Sequence, residues 1–438
     1  MVSAAQSNLK RNFTCLLLDG GFWSAGFASL GLFTIMPGLI HEIGLRYPAI
    51  VPFENRFATL AGLCFFGVSQ LVAIFCPGLY ETRARRLPLF MAFAWLSRLT
   101  FVYIALATIF MNRIGYPAYL VVLFASLLWY GVVNGFTVPQ WMDFVARLTP
   151  VNRRGLLIGC RDCMGTVLGL AILAVFPVFT RMLPFPGNYG AMYSLSMVMF
   201  VASAFVLGLM REAPYEQADL KPRVPVMQHV RENLSILKTD RRFRNLLIVL
   251  VVLAIPGISN LSLITMKGIR ILDLSGASAA QFTGRIAMMM IVTNAVSILT
   301  FGMLGDKFGY RRIGYACFSI LGVGLTTAML ATSRPLFFAA IVVVTMAGAG
   351  INVFMLNFPM EFAPENRRTS YMALRSLFLA PVIILPVVGG WLADVYGQNV
   401  VFAIALGFAV AGVAAIKFFV VDPRRVVHHC PEPVASGV

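Results

Sequence analysis

The sequence predicts an all-α membrane protein, with twelve transmembrane helices set out as two pseudo-symmetric six-helix bundles. Three observations predict it. Of the 438 residues, 59% are hydrophobic and only 12% charged, with a mean hydropathy of +0.82. Soluble domains carry about 25% charged residues, so a water-soluble fold of this composition has nowhere to put its apolar surface. The apolar residues gather in long runs near the ~20 residues that cross a bilayer as a helix, and the ~10-residue alternation of a membrane barrel is absent. Finally, Pro150-Val151-Asn152-Arg153-Arg154 recurs 214 residues later as Pro364-Glu365-Asn366-Arg367-Arg368, and each copy is followed by a lone arginine, Arg161 and Arg375, seven residues after its second arginine. Matched basic punctuation between apolar runs reads as one bundle built twice, in parallel.

Taken in order, span 1 (13–40) follows Lys10-Arg11 and is too long an apolar run for a cleaved signal. Spans 2 (57–78) and 3 (88–110) flank Arg83, Arg85 and Arg86. Span 4 (117–141) carries Gly131, Gly135 and Pro139, and span 5 (155–179) follows the first basic pentapeptide. Span 6 (190–210) ends at Arg211. The polar stretch 211–245 contains Pro214, Pro222 and Pro225 and divides the spans six and six. Within it Val226, Val230, Leu234 and Leu237 fall at helical spacing, which predicts an amphipathic helix tethering the halves at the membrane surface or beneath the bundle. Span 7 (246–266) holds Pro256-Gly257, span 10 (335–359) holds Gly348, Gly350 and Pro359, and span 11 (369–393) holds Pro381 and Pro386. Spans 8 (281–303), 9 (312–331) and 12 (398–420) are less interrupted. Backbone groups freed at breaks must be met by neighbours or by water in a cavity, so the breaks in spans 4, 7, 10 and 11 point to a central cavity. The expected organisation is a bundle over 1–210, a central loop over 211–245, and a bundle with a tail over 246–438.

The net charge of +17 is a statement of topology, not of nucleic-acid binding. With both termini inside, 23 of the 35 Lys and Arg fall on the cytoplasmic face, seven on the other and five within the spans. Positive-inside bias then sets the orientation, and the basic face meets anionic lipid. The seven cysteines are scattered and imply no disulfide framework. Cys160-Arg161-Asp162-Cys163 and His428-His429-Cys430 are weak metal patterns with no second ligand set, so neither metal nor cofactor is expected.

Between spans 8 and 9 the chain reads Gly302-Met303-Leu304-Gly305-Asp306-Lys307-Phe308-Gly309-Tyr310-Arg311-Arg312. This resembles the G-x-L-x-D-x-x-G-x-R-R loop of the major facilitator superfamily. Glycines permit a tight turn, arginines anchor the inner face, and the aspartate can cap the amino end of a helix from the other half. The first-half counterpart, Gly78 to Arg86, is degenerate, with Glu81 near the aspartate position, and Gly390-Trp391-Leu392-Ala393-Asp394-Val395-Tyr396-Gly397 repeats part of the pattern after span 11. The segment from Pro139 to Gly155 resembles the span 4–5 junction of poorly characterised bacterial members. Marks of the drug–proton antiporters and of the sugar carriers are missing.

Ionisable groups within spans are costly and mark function. Asp19 lies ~9 Å and Arg98 ~15 Å from the inner face at 1.5 Å per residue. They form either a proton-coupling pair or an ion pair that holds the first bundle together. The resemblance implies an inner gate built from Glu81, Arg83, Arg153, Arg154, Arg161, Asp162, Gly302, Asp306, Gly309, Arg311, Arg312, Arg367, Arg368 and Arg375. In that gate Asp306 meets Arg161, and Glu81 meets Arg375. Trp23, Asn134, Gln140, Asn260, Asn294, Asn352 and Asn357 are candidates to line the cavity. No phosphate-binding loop, nucleophile elbow or HExxH pair occurs, so no enzyme is expected. The reading is a monomeric secondary active transporter of the inner membrane. It moves a small organic solute by alternating access on a proton or solute gradient. A non-transporting sensor or assembly factor, or a lipid translocase on the same fold, is the alternative.

Overall fold

The computed structural model describes residues 2–76, 80, 83–149, 151–212, 237, 240–259, 261–362 and 368–419. No strand occurs among them, and eleven of their helices are long and apolar enough to cross a membrane. The interval expected for span 2 holds a broken helical run instead. It begins at Glu54–Gly62, passes through a π turn at Leu63–Gly67, and continues as Val68–Val72 and Ala73–Phe75.

Most spans exceed their expected lengths, because helical backbone continues past the apolar stripe into the polar margin. Span 4 runs Tyr116–Leu148, span 5 Val151–Met182 and span 8 Gly276–Phe308. Spans 3, 6, 9 and 12 occupy Leu87–Ile109, Gly187–Gly208, Tyr310–Leu330 and Gln398–Phe419. Span 7 is broken where its Pro-Gly pair stands, into Arg241–Ala254, a 3-10 turn at Ile255–Ile258 and Leu261–Ile271. Span 11 is broken at Pro381, into Arg368–Leu379, Ala380–Ile384 and Leu385–Tyr396. Span 10, Arg334–Asn357, is unbroken through Gly348 and Gly350 and ends in a 3-10 turn containing Pro359.

Two expectations about breaks are corrected. Span 4 carries Pro139 inside a continuous helix. Its glycines serve packing: a Cβ at Gly131 or Gly135 would collide with the carbonyl oxygens of Cys64 or Ser69 on the second run, the close approach small residues allow between membrane helices. Span 1 is interrupted just ahead of Pro37, which has no N–H to offer the Phe33 carbonyl four residues back and was not counted among the breaks. Val2–Leu30 stops at Gly31 (φ +55°), and the helix resumes as Ile35–Arg46. The carbonyl of Phe33 freed by that break accepts the Thr265 hydroxyl from span 7 at 3.2 Å, which meets the demand for satisfied backbone in a membrane.

Span 1 packs on spans 5 and 6, span 6 on span 3, span 3 on span 4, and span 4 on the second run. In the other half span 9 packs on spans 10 and 12, span 7 on span 12, and span 8 on span 10. The two halves meet where span 5 lies on span 8 and the second run lies on span 11. Lys267, expected in an outer loop, is buried within span 7. Its ammonium donates to the carbonyls of Ala328 (2.6 Å) and Met329 (2.7 Å) at the end of span 9, and to Asn399 (2.8 Å). A cation on the carbonyl end of a helix meets the negative end of its dipole. The amphipathic helix expected over 226–238 lies outside the described residues apart from Leu237, as does the tail from 420.

Candidate functional site

Asp19 and Arg98 come together deep in the first half. Span 1 supplies Asp19, 2% exposed, and span 3 supplies Arg98, 5% exposed, with Nη2 and Oδ1 3.8 Å apart. Ser203 of span 6 donates to Oδ1 at 2.6 Å, and the Trp141 indole of span 4 donates to Oδ2 at 3.1 Å. Arg98 also donates to Ser97 at 2.9 Å. Four helices thus converge on one carboxylate. A buried charge needs both a counter-ion and hydrogen bonds to its remaining lone pairs, and this carboxylate has both. One turn above, Trp23 donates to the Tyr130 hydroxyl at 3.2 Å. Trp23 stacks on Phe27 at 5.7 Å, and Phe27 meets Phe66 edge-on at 5.5 Å.

The polar cavity candidates divide. Asn134 and Gln140 are buried and committed to partners: Asn134 donates to Ser69 (3.3 Å) and accepts from Thr137 (2.9 Å), and Gln140 donates to Asp143 (3.1 Å). Both act as links within the bundle. Asn294 and Asn352 are exposed, and Asn357 is half-buried with its amide turned back to Val353. Asn260 lies outside the described residues.

At the end of the bundle where the gate was expected, Arg161 takes a partner set other than the expected one. Its stem crosses Gly20, where any Cβ would collide with its Cγ, Cδ and Nε, and its guanidinium lies 4.4 Å from the Trp141 ring. Arg161 is therefore held within its own half rather than by Asp306, because Trp141 already stands over the start of span 5. Asp306 accepts from the Tyr310 hydroxyl one turn on, at 2.7 Å. Arg311 donates to the carbonyls of Ile416 and Lys417 at the end of span 12. Gly309 closes span 8 at φ +89°, and Gly302 is half-buried. Arg83, Arg153, Asp162 and Arg312 are exposed and Arg375 is half-buried. Glu81 and Arg367 lie outside the described residues, as do the side chains of Arg154 and Arg368, so the pairing of Glu81 with Arg375 has no described counterpart.

At the opposite end of the bundle a set of contacts that the sequence did not assign joins the halves. Here Asp394, the aspartate of the second G-x-L-x-D-x-x-G stretch, caps a helix of the other half. Asp394 accepts the backbone N–H groups of Asn55 (3.0 Å) and Arg56 (3.2 Å) at the start of the second run, and the Arg56 Nε at 3.0 Å. Gly390 lets the helices touch, since a Cβ there would meet Thr59, the Asn55 carbonyl and Arg56. The closing glycines of the two stretches, Gly309 and Gly397, share one backbone shape, φ +89°, ψ 140° and φ +87°, ψ 156°. That left-handed region favours glycine. Beside this cap Arg270 of span 7 donates to Glu54 at 3.0 Å, and His41 lies 3.2 Å from the same carboxylate oxygen. Glu42 accepts the N–H of Gly276 at the start of span 8 and pairs with Arg46 at 2.7 Å.

The Major Facilitator Superfamily model matches residues 264–433, a stretch that includes the Gly302–Arg312 loop. Over 153 residues the chain is 27% identical to the MFS-type transporter TOXA of Cochliobolus carbonum; the alignment covers 35% of this chain and 27% of that protein. The chain thus spans about a quarter of the length of the curated relative it matches. A structure of the xylose transporter XylE from E. coli aligns with a TM-score of 0.63 at 12% identity, over 95% of this chain and 99% of that one. A structure of the nucleoside transporter NupG aligns with a TM-score of 0.59 at 12% identity, over 94% and 98%. At these identities the likeness to the solved structures is one of fold. The chain has the major facilitator fold. The resemblance drawn from the Gly302–Arg312 loop therefore holds. Within that fold, the sequence named Asp19, Arg98 and Trp23 but missed Ser203 and Trp141, which arrive from spans 6 and 4. It also missed Asp394, Asn55, Arg56, Glu54, Arg270 and Glu42. The one signal that could have found Asp394 was its place in a second copy of the loop pattern.

Proposed function

We propose that the protein is a secondary active transporter carrying a small organic solute across the cytoplasmic membrane by alternating access, on a proton or solute gradient. In this reading residues 1–210 and 246–438 rock against each other, with both termini and the basic face in the cytoplasm beside anionic lipid, and the monomer is the working unit.

The observation that carries the reading is the set of hydrogen bonds between halves at the outer end: Asp394 with Asn55 and Arg56, Glu54 with Arg270, and Glu42 with Gly276. They are built from N–H caps and ion pairs, which can break and re-form as units, and they lie at the margin of an otherwise apolar bundle. Such contacts suit a closure that opens in turn with an inner one. The inner closure would use Asp306, Arg161, Asp162, Arg375 and the basic loops. Asp19 and Arg98 fit a coupling pair, since one carboxylate on span 1 is held by groups from three other helices.

Reconstitution into liposomes tests the reading directly, by measuring uptake of a solute panel with and without an imposed pH gradient. Saturable, gradient-dependent flux of at least one solute is expected. Folded protein that moves none of them, under any gradient, would favour a sensor or assembly factor.

A further inference from the structure

We propose that the carried solute is a small organic anion with an apolar body. Arg161 and Arg375, one from each half, meet its acidic group, and Trp23, Phe27 and Phe66 meet its body. The proposal rests on the transporter reading for its purpose, but its test is one of binding.

The charges around Asp19 do not balance. Two guanidinium groups, Arg98 and Arg161, stand near one carboxylate whose oxygens already serve Arg98, Ser203 and Trp141. Asp162 is the chain neighbour of Arg161 and exposed, but adjacent helical positions do not face each other. Arg161 is held firmly, by Gly20 beneath its stem and Trp141 against its guanidinium. Yet its Nε–H is closed off from solvent and has no acceptor among the described residues. A cation in a span without its full set of partners is expensive. A planar guanidinium fixed on its stem is pre-organised for a carboxylate or a similar oxyanion.

Arg375 repeats this situation. It stands at the same offset from the recurring pentapeptide, on span 11 where span 5 carries Arg161. It is half-buried, and its Nε–H is likewise closed off without an acceptor. Each half of the repeat therefore carries one under-used guanidinium at the same offset from its pentapeptide.

The body of the solute follows from what lies beyond. Asp19, Trp23 and Phe27 share one face of span 1 at helical spacing, and Phe66 joins them from the π turn. All three aromatic residues are only half-buried. Span 1 is the most enclosed of the spans, with 72% of its apolar window buried against 28% or less in spans 5, 8 and 11. This aromatic wall thus stands on the span most covered by protein.

The test uses the full chain in lipid nanodiscs, with tryptophan fluorescence and thermal unfolding as readouts and three probes of one shape: benzoate, neutral benzamide and cationic benzylamine. Benzoate should give a saturable change in emission and a rise in Tm that the other two do not give. Arg161→Gln should weaken benzoate by about tenfold or more, the loss of one charged hydrogen-bonding partner. Arg161→Lys should fold as the wild type does and weaken it less, and Arg375→Gln should weaken it as well. No response to benzoate, an equal response to benzamide, or an unchanged benzoate affinity in folded Arg161→Gln would overturn the proposal. Flux of a neutral or cationic solute in liposomes without benzoate binding would sink the anion and leave the transporter. Benzoate binding with no flux of any solute would do the reverse.

Discussion

Asp19 shows what one buried charge demands. Its partners are Arg98, Ser203 and Trp141, so removing its charge leaves Arg98 without a counter-ion in a low-dielectric setting. Breaking a buried pair from one side costs about 3–5 kcal/mol, while replacing both partners with apolar groups is often neutral. Asp19→Asn is expected to lower the unfolding temperature in detergent, and the double variant Asp19→Leu with Arg98→Met to recover most of the loss. If Asp19→Asn unfolds like the wild type, the pair does not hold the bundle. In liposomes the same folded Asn variant should lose gradient-driven flux if Asp19 couples transport. The pairing itself was legible, because Asp19 and Arg98 are opposite charges deep in neighbouring parts of one bundle. Ser203 and Trp141 were not legible, since nothing local says which hydroxyl or indole of spans 4 and 6 will face span 1.

At the scale of elements, carboxylates and cations are spent on helix ends. Asp394 caps the second run, Glu212 accepts the N–H groups of Arg86 and Leu87 at the start of span 3, and Lys267 donates to the carbonyl end of span 9. Lys267→Met keeps the bulk but leaves the Ala328 and Met329 carbonyls without this donor. Each unsatisfied group costs about 1–3 kcal/mol, so a clear drop in Tm is expected, whereas Lys267→Arg should retain more of it. Asp394→Ala removes a cap worth about 1–2 kcal/mol from the outer-closed arrangement only. Thr59, fully buried beneath Gly390, reports on that contact. With Thr59→Cys as the only thiol, maleimide labelling should speed up in Asp394→Ala by about tenfold, the factor of a 1.4 kcal/mol shift. An unchanged labelling rate would remove Asp394 from the closure. The breaks at Pro256 and Pro381 were readable because proline removes a donor and clashes with the preceding turn. The interruption at Gly31 carries the same mark in Pro37, which was not used, whereas the π turn at Leu63–Gly67 contains no proline to announce it. The loop pattern located Asp394 but not its target, because the target lies on a helix more than 330 positions away in the chain.

For the whole molecule, hydropathy and the spacing of the apolar runs were enough for the class. Those signals are collective, and no single residue has to be placed for them to work. The pairing across the inner end was not recoverable in the same way. Arg161 went to Gly20 and Trp141, local partners that a repeat offset cannot reveal. We infer that the two halves close alternately, with the outer closure held by Asp394. The most direct test is a pair of spin–spin distances in a cysteine-free background. One pair joins Val51 and Val400 at the outer end, and the other joins Met142 and Met360 towards the inner end, all four exposed. On going from the wild type to Asp394→Ala, the outer distance should lengthen while the inner one shortens. Both distances unchanged, or both moving in the same direction, would contradict it.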